Sequence, residues 1–170
     1  MNTQKILIVD NDPEIINGIR EILSQENYEV ISAQNMADGL SLARMHRPDL
    51  TILDARINTN YEGFDLAGAF VNDPEFEGMP IILQTSMDMF TTTKESVREM
   101  AHAFRREPGC KNFQVILMKD IVTGKAGIDY QNEEGKTFWL PLGGILPKPV
   151  NINKLLPEIE SALSSRSMSN

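Results

Sequence analysis

Apolar residues along the first half of the chain fall into two alternating patterns. Short, largely apolar runs at 5–9, 28–33, 50–53 and 81–83 read as strands, the first apolar on both faces as a fully buried parallel strand is. Between them, apolar residues recur at helical spacing and leave one core-facing stripe per segment. The first stripe is Ile15, Ile16, Ile19, Ile22 and Leu23, the second Met36, Ala37, Leu40 and Ala43, the third Leu66, Ala67, Phe70 and Val71. Asp12 before Pro13 reads as an N-cap followed by proline in the first turn, and Pro48 closes the second unit. A fourth helix is predicted over about 93–106, with Val97, Met100, Ala101 and Phe104 inward. A short strand at 144–146 and a helix capped by Asn151, with Ile152, Leu155, Leu156, Ile159 and Leu163 inward, complete the pattern. Strand and helix in strict alternation predict a doubly wound parallel α/β sheet.

Residues 108–143 interrupt that alternation. Positions 113–118 read as a strand, and 126–131 and 136–140 flank Asn132-Glu133-Glu134-Gly135 as a hairpin. A structureless loop of this length is unusual inside a compact domain, so the segment is expected to be an ordered, hairpin-like arm. The expected organisation is one domain over 1–165 with the insertion at 108–143, and a flexible tail at 166–170.

Composition narrows the function. The chain has 170 residues, 41% of them hydrophobic, enough for one core. No apolar run is long enough to span a bilayer, and the N-terminus does not read as a signal peptide. A single cysteine, Cys110, excludes an intrachain disulfide and fits a reducing compartment, so a cytoplasmic location is expected. The net charge of −8 disfavours nucleic acid as a partner. Arg105, Arg106 and Lys111 form the best basic cluster and read as a solvated helix end.

Ligands of parallel α/β sheets bind beyond the carboxyl ends of the strands. The first strand ends in Asp10, Asn11 and Asp12, the third in Asp54, the fourth in Thr85 and Ser86, and the last leads to Lys148. Hard oxygen ligands of this kind suit Mg²⁺. A carboxylate beside a metal can attack phosphorus and form an acyl phosphate, with the metal, a lysine and a hydroxyl balancing charge on the phosphoryl oxygens.

The strings KILIVDNDPEI, RPDLTILDA, MPIILQTS and LPKPVNINKL stand in the order and strand context of response-regulator receiver domains, which the chain resembles over about 4–106 and 144–164. The resemblance implies a flavodoxin-like (βα)5 fold with strand order 2-1-3-4-5. It implies Asp54 as phosphoacceptor, Asp10 in the metal-binding acidic pair, the backbone carbonyl of Arg56 as a further Mg²⁺ ligand, Thr85 as switch hydroxyl and Lys148 as phosphoryl contact. Pro149 would occupy the family's cis-peptide position. The implied partners are a sensor histidine kinase or phosphotransfer protein and a downstream protein, with output by protein–protein contact because the chain has no room for an output domain. The insertion is expected to shape partner choice or dimerisation.

Three positions depart from the family pattern. Asn11 replaces the usual second acid; its carbonyl can still ligate, with weaker Mg²⁺ binding unless Asp12 swings in. The loop ARINTNYEG is one residue longer than usual. Ile145 stands at the usual aromatic switch position, leaving Tyr130, Phe138 or Trp139 as a replacement, or no such coupling. Two other readings compete: a receiver fold kept as a non-phosphorylated interaction module, and a haloacid-dehalogenase-like phosphatase using the Asp10-Asn11-Asp12 spacing with Asp10 as nucleophile. Lys119 is a rival for the lysine role, without a following proline.

Overall fold

In the computed structural model, which describes residues 3–59, 61–93 and 96–168, five apolar segments pair as one parallel sheet. They are β1 (Gln4–Val9), β2 (Tyr28–Ala33), β3 (Leu50–Asp54), β4 (Ile81–Thr85) and β9 (Gly144–Pro147), in the order β2-β1-β3-β4-β9. With β9 counted as the fifth strand of the α/β frame, this is the predicted order. Helices α1 (Pro13–Ser24) and α5 (Ile152–Met168) cover one face, and α2 (Met36–His46) and α3 (Glu62–Asn72) the other.

Strand alternation sorts the two cores. Ile6, Ile8, Leu50, Ile52, Ile82 and Leu146 pack with Ile16, Ile19, Leu155 and Ile159 on the α1/α5 side. Leu7, Val9, Leu53, Leu83 and Ile145 pack with Ala43, Phe64, Ala67 and Phe70 on the other. The helix starts follow from their caps. Asp12 accepts from the Glu14 N–H at 2.9 Å ahead of Pro13, and Asn35 from the Asp38 N–H at 2.8 Å. Asn151 accepts from the Asn153 N–H at 2.9 Å at the start of α5. Helix α5 runs to Met168, into the stretch read as a tail; Ser169 and Asn170 lie outside the described residues.

The insertion is more than an arm. β6 (Val115–Asp120), β7 (Ala126–Gln131) and β8 (Thr137–Leu142) form an antiparallel meander, and β5 (Phe90–Thr92) adds a parallel edge strand, giving a second sheet of order β5-β6-β7-β8. The predicted hairpin turn is present: the Gly135 N–H donates to the Asn132 carbonyl at 3.0 Å, with Gly135 at φ 85°. β5 occupies residues just ahead of the predicted fourth helix, so α4 begins later, at Val97, with Ser96 accepting from the Glu99 N–H at 3.2 Å.

The same alternation decides what α4 (Val97–Arg106) covers. Ile116 and Met118 of β6 and Trp139 of β8 pack with Val97, Ala101 and Phe104 of α4. On the opposite face, Leu117, Ala126, Ile128 and Leu140 join the core around α3. The stripe on α4 therefore faces the inserted sheet, which itself packs against α3. Phe138 and Trp139, adjacent on β8, are both half-buried on opposite faces, Phe138 toward α3 and Trp139 toward α4. The Trp139 ring lies over the backbone of β7, and a Cβ at Gly127 would collide with it.

Arg105 fastens α4 to this sheet. Its Nε donates to Asp129 Oδ1 at 2.8 Å, Nη2 to the Asp129 carbonyl at 3.1 Å, and Nη1 to the Phe113 carbonyl and to Gln131 Oε1. Asp129 is buried and Arg105 nearly so. Arg105 is thus a structural staple rather than part of a solvated helix end.

Candidate functional site

The α1/α5-facing series on each strand carries the site. Two residues beyond the last apolar position of β1, β3, β4 and β9 (Ile8, Ile52, Ile82 and Leu146), the same face bears Asp10, Asp54, Gln84 and Lys148. The parallel register sets Asp54 beside Gln84 and Leu53 beside Val9, so β1 with Asp10 flanks Asp54 on one side and β4 with Gln84 on the other. A row that is apolar along the strands turns polar at their carboxyl ends.

Asp54 is buried, and its Oδ1 accepts from Lys148 Nζ at 2.7 Å and from the Arg56 N–H at 3.1 Å. Both are charge-assisted bonds of ordinary strong length. Asp10 is fully buried; its Oδ1 accepts from the Asp12 N–H at 2.9 Å, and its Oδ2 has no partner among the described residues. Burial holds the Asp10 carboxyl above the ordinary carboxylate value; the Asp12 N–H opposes this, and neighbouring Asp54 raises it further.

Thr85 is buried at the end of β4. Its Oγ1 accepts from the Met87 N–H at 3.0 Å, and its carbonyl accepts from the Lys148 N–H at 2.9 Å, tying β4 to the turn that presents the lysine. The Lys148–Pro149 peptide is cis. Asn11 and Arg56 are exposed at the rim of the row. Gly63, in the first turn of α3, lies so close to the Asp54 carbonyl oxygen that a Cβ would overlap it, so glycine is required there. Asn60 of the preceding loop lies outside the described residues.

The donor set was weighed for a metal. Among the described residues no three His, Cys, Asp or Glu side chains gather into a metal-ligating group. Mg²⁺ does not need one: it is held by one or two carboxylates with carbonyls and waters. Two neighbouring carboxylates, one with an unpaired buried oxygen and a raised pKa, are the arrangement a divalent cation relieves, so the residues fit Mg²⁺. Asp12 does not join them, because its carboxylate caps α1.

That cap also weighs against Asp10-Asn11-Asp12 as a phosphatase motif, because the Asp12 carboxylate is held at the helix start. Lys119 lies on β6 of the inserted sheet, outside the row. None of the three aromatics from the insertion lies on the β4–β9 edge. Tyr130 stacks on Phe64 at 5.8 Å between ring centroids, and its hydroxyl donates to Asp65 Oδ1 at 3.3 Å, so it contacts α3. Sequence reasoning gave no role to Gln84. The signal was a lone amide inside an apolar buried strand, in phase with Ile82. Leaving such a group unpaired costs about 1–3 kcal/mol.

Comparison with known proteins agrees with this geometry. Residues 6–105 match the family described as response regulator receiver domain. The chain is 29% identical to protein PilH of Pseudomonas aeruginosa over 104 residues, covering 61% of this chain and 85% of PilH. It is 28% identical to the polar-differentiation response regulator DivK of Brucella anthropi over 86 residues, covering 51% of this chain and 69% of DivK. Among solved structures, a CheY-like receiver domain protein from Methanospirillum hungatei aligns over 99% of this chain and 100% of its own, with TM-score 0.61 and 22% identity. The chemotaxis response regulator CheY4 of Vibrio cholerae aligns over 95% and 99%, with TM-score 0.58 and 20% identity. The structural likenesses bear on fold alone.

Proposed function

The chain belongs to the response-regulator receiver family, and from that premise we propose that it accepts a phosphoryl group on Asp54 from a phosphohistidine of a histidine kinase or phosphotransfer protein. The observation that carries this reading is the buried Asp54 carboxylate held at 2.7 Å by Lys148, in one row with Asp10. A carboxylate oxygen of Asp54 attacks phosphorus, the O–P bond forms as the P–N bond of the donor breaks, and the imidazole leaves with the electron pair and takes up a proton. Lys148 offsets charge on the transferring oxygens, and the Arg56 N–H holds the attacking carboxylate in place. The Thr85 hydroxyl is the switch group that exchanges its bond to Met87 for one to the phosphoryl group.

Receiver domains typically bind Mg²⁺ at an acidic pocket. Asp10, Asp54, the Arg56 carbonyl and the Asn11 amide would hold it here, and when bound it supplies positive charge to the phosphoryl oxygens. Receiver domains are in general regulators rather than enzymes, and this chain is read the same way, as one receiver domain over 1–165 with residues 108–143 inserted. Among the described residues no helix is long and apolar enough to cross a membrane, and a cytoplasmic site of action is part of the proposal. Output is protein–protein contact with a downstream protein, with the insertion shaping partner choice or homodimer formation.

Intact mass after incubation with Mg²⁺ and a small acyl-phosphate donor tests the reading. Wild type should gain one phosphoryl group and Asp54→Asn none. The substitution of Asn11 for an acid favours a second reading, an interaction module without phosphorylation. No mass gain together with no Mg²⁺ binding would establish that instead.

A further inference from the structure

The phosphoryl transfer proposed above uses Asp10, Asp54, Thr85 and Lys148 and leaves one polar member of the row idle. Gln84 is fully buried, and neither its Nε2 nor its Oε1 has a hydrogen-bond partner among the described residues. Buried side-chain amides are nearly always bonded, and an unbonded one calls for a reason. Its surroundings make the position more unusual. Along β4 it shares the face of Ile82, and that face is otherwise apolar across β1, β3, β4 and β9 until the site is reached. The register places Gln84 beside Asp54 on one side and beside Leu146 on the other, two residues before Lys148. Gln84 and Lys148 also wall the same cleft of about 560 Å³ between α1 and α5, whose remaining walls include Ile15, Ile19, Ile22 and Leu155. Within those apolar walls, Gln84 is a neutral acceptor and donor lining the same cleft as the lysine.

We propose that Gln84 is a positioning residue for phosphoryl transfer at Asp54, acting through Lys148. The inference rests on the Asp54 reading. A lysine ammonium has three donors, and in this structure one of them bonds to Asp54 Oδ1 at 2.7 Å. When an Asp54 oxygen becomes part of the acyl phosphate it loses most of its negative charge and becomes a weaker acceptor. Lys148 then follows the phosphoryl oxygens, and Gln84 Oε1 accepts one of its remaining donors, fixing the ammonium over the new group. A neutral amide suits this role. A carboxylate there would add negative charge beside Asp54, repel the incoming phosphoryl group and compete for the lysine. The position in the sheet also separates this role from metal binding, since Asp10 flanks Asp54 from β1 and Gln84 from β4.

The test compares phosphorylation rates of wild type, Gln84→Met and Lys148→Ala, each alone and the last two combined, with a small acyl-phosphate donor over a Mg²⁺ titration. Methionine keeps the length of the side chain and removes both hydrogen-bonding atoms; Gln84→Leu serves as a second variant should Met pack poorly. The expected result is a rate roughly tenfold lower for Gln84→Met, an unchanged Mg²⁺ dissociation constant, and no further loss when Gln84→Met is added to Lys148→Ala. A thermal midpoint equal to or above that of wild type would accompany it, because the unpaired amide is gone. An unchanged rate in Gln84→Met overturns the inference and leaves Gln84 a packing residue. So does an equal loss in the Lys148→Ala background, since the effect would not pass through the lysine. Wild type that takes up no phosphoryl group overturns the Asp54 reading itself, and this inference with it.

Discussion

The parallel sheet and the inserted sheet handle buried charge in opposite ways. At the carboxyl edge of the parallel sheet, Asp10 lies beside Asp54, and burial pushes its carboxyl up. In the inserted sheet, Asp129 is clasped by Arg105, and Asp120 accepts from the Val122 and Thr123 N–H groups, which hold its carboxyl below the ordinary value of 3.8 against the opposing effect of burial. One region sets two buried carboxylates beside a single lysine, which bonds Asp54 and leaves Asp10 Oδ2 without a partner among the described residues. The other ties one oxygen of each buried carboxylate to a guanidinium or to backbone N–H groups. Buried polar residues thus gather at the proposed phosphoacceptor edge in the first sheet and tie elements together in the second.

The largest effect should come from undoing a fastener. Arg105→Met leaves Asp129 buried with no guanidinium, a change expected to cost about 3–5 kcal/mol in a denaturant titration. Hydrogen exchange should show the loss concentrated in α4 and β6–β8, with β1 and β3 protected as before. Protection falling equally in both sheets would mean that they unfold as one unit and would erase the contrast. Next is Gly127→Ala, which drives a methyl into the Trp139 ring and should cost about 1–3 kcal/mol by overpacking. Tryptophan fluorescence should report the displaced ring. The reactive edge should respond with the opposite sign: Asp10→Asn without Mg²⁺ raises the thermal midpoint by removing a buried charge from beside Asp54, while weakening Mg²⁺ binding.

The smallest effect is a pH dependence. A carboxyl whose folded value is lowered contributes stability above its unfolded value near 3.8 and loses it as pH falls through the lower folded value. Asp120→Asn should therefore flatten the acid limb of the stability curve below about pH 4 and lower neutral stability by the small amount that wild type loses across that limb. An acid limb identical to that of wild type would show that the Asp120 turn contributes nothing of this kind.

Much of this was readable in the residues. All five strands of the parallel sheet announce themselves as short, largely apolar runs, and Asp12-Pro13 and Asn151 carry their helix starts in local hydrogen-bonding chemistry. The proposed site residues Asp10, Asp54, Thr85 and Lys148 stand out in the sequence because each sits where an apolar strand runs out. What stayed hidden was long-range. β5 is three residues, too short to show alternation, and its pairing with β6 decides where α4 can begin. The stripe on α4 says that the helix has a buried side, not that an inserted sheet will cover it. Arg105 and Asp129 are 24 positions apart with no shared local pattern. Gln84 was visible as an oddity in β4, but its place beside Asp54 emerges only from the register.

The stretch between Thr85 and Phe90 is four residues long, and the bond from the Met87 N–H to the Thr85 hydroxyl falls inside it. Extended chain reaches only about 3.5 Å per residue, so this connection is a short one. The joint connects the strand that bears the hydroxyl directly to the edge strand of the second sheet. The path from Thr85 to α4 runs through that joint, by the pairing of β5 with β6 and the packing of β6 on α4.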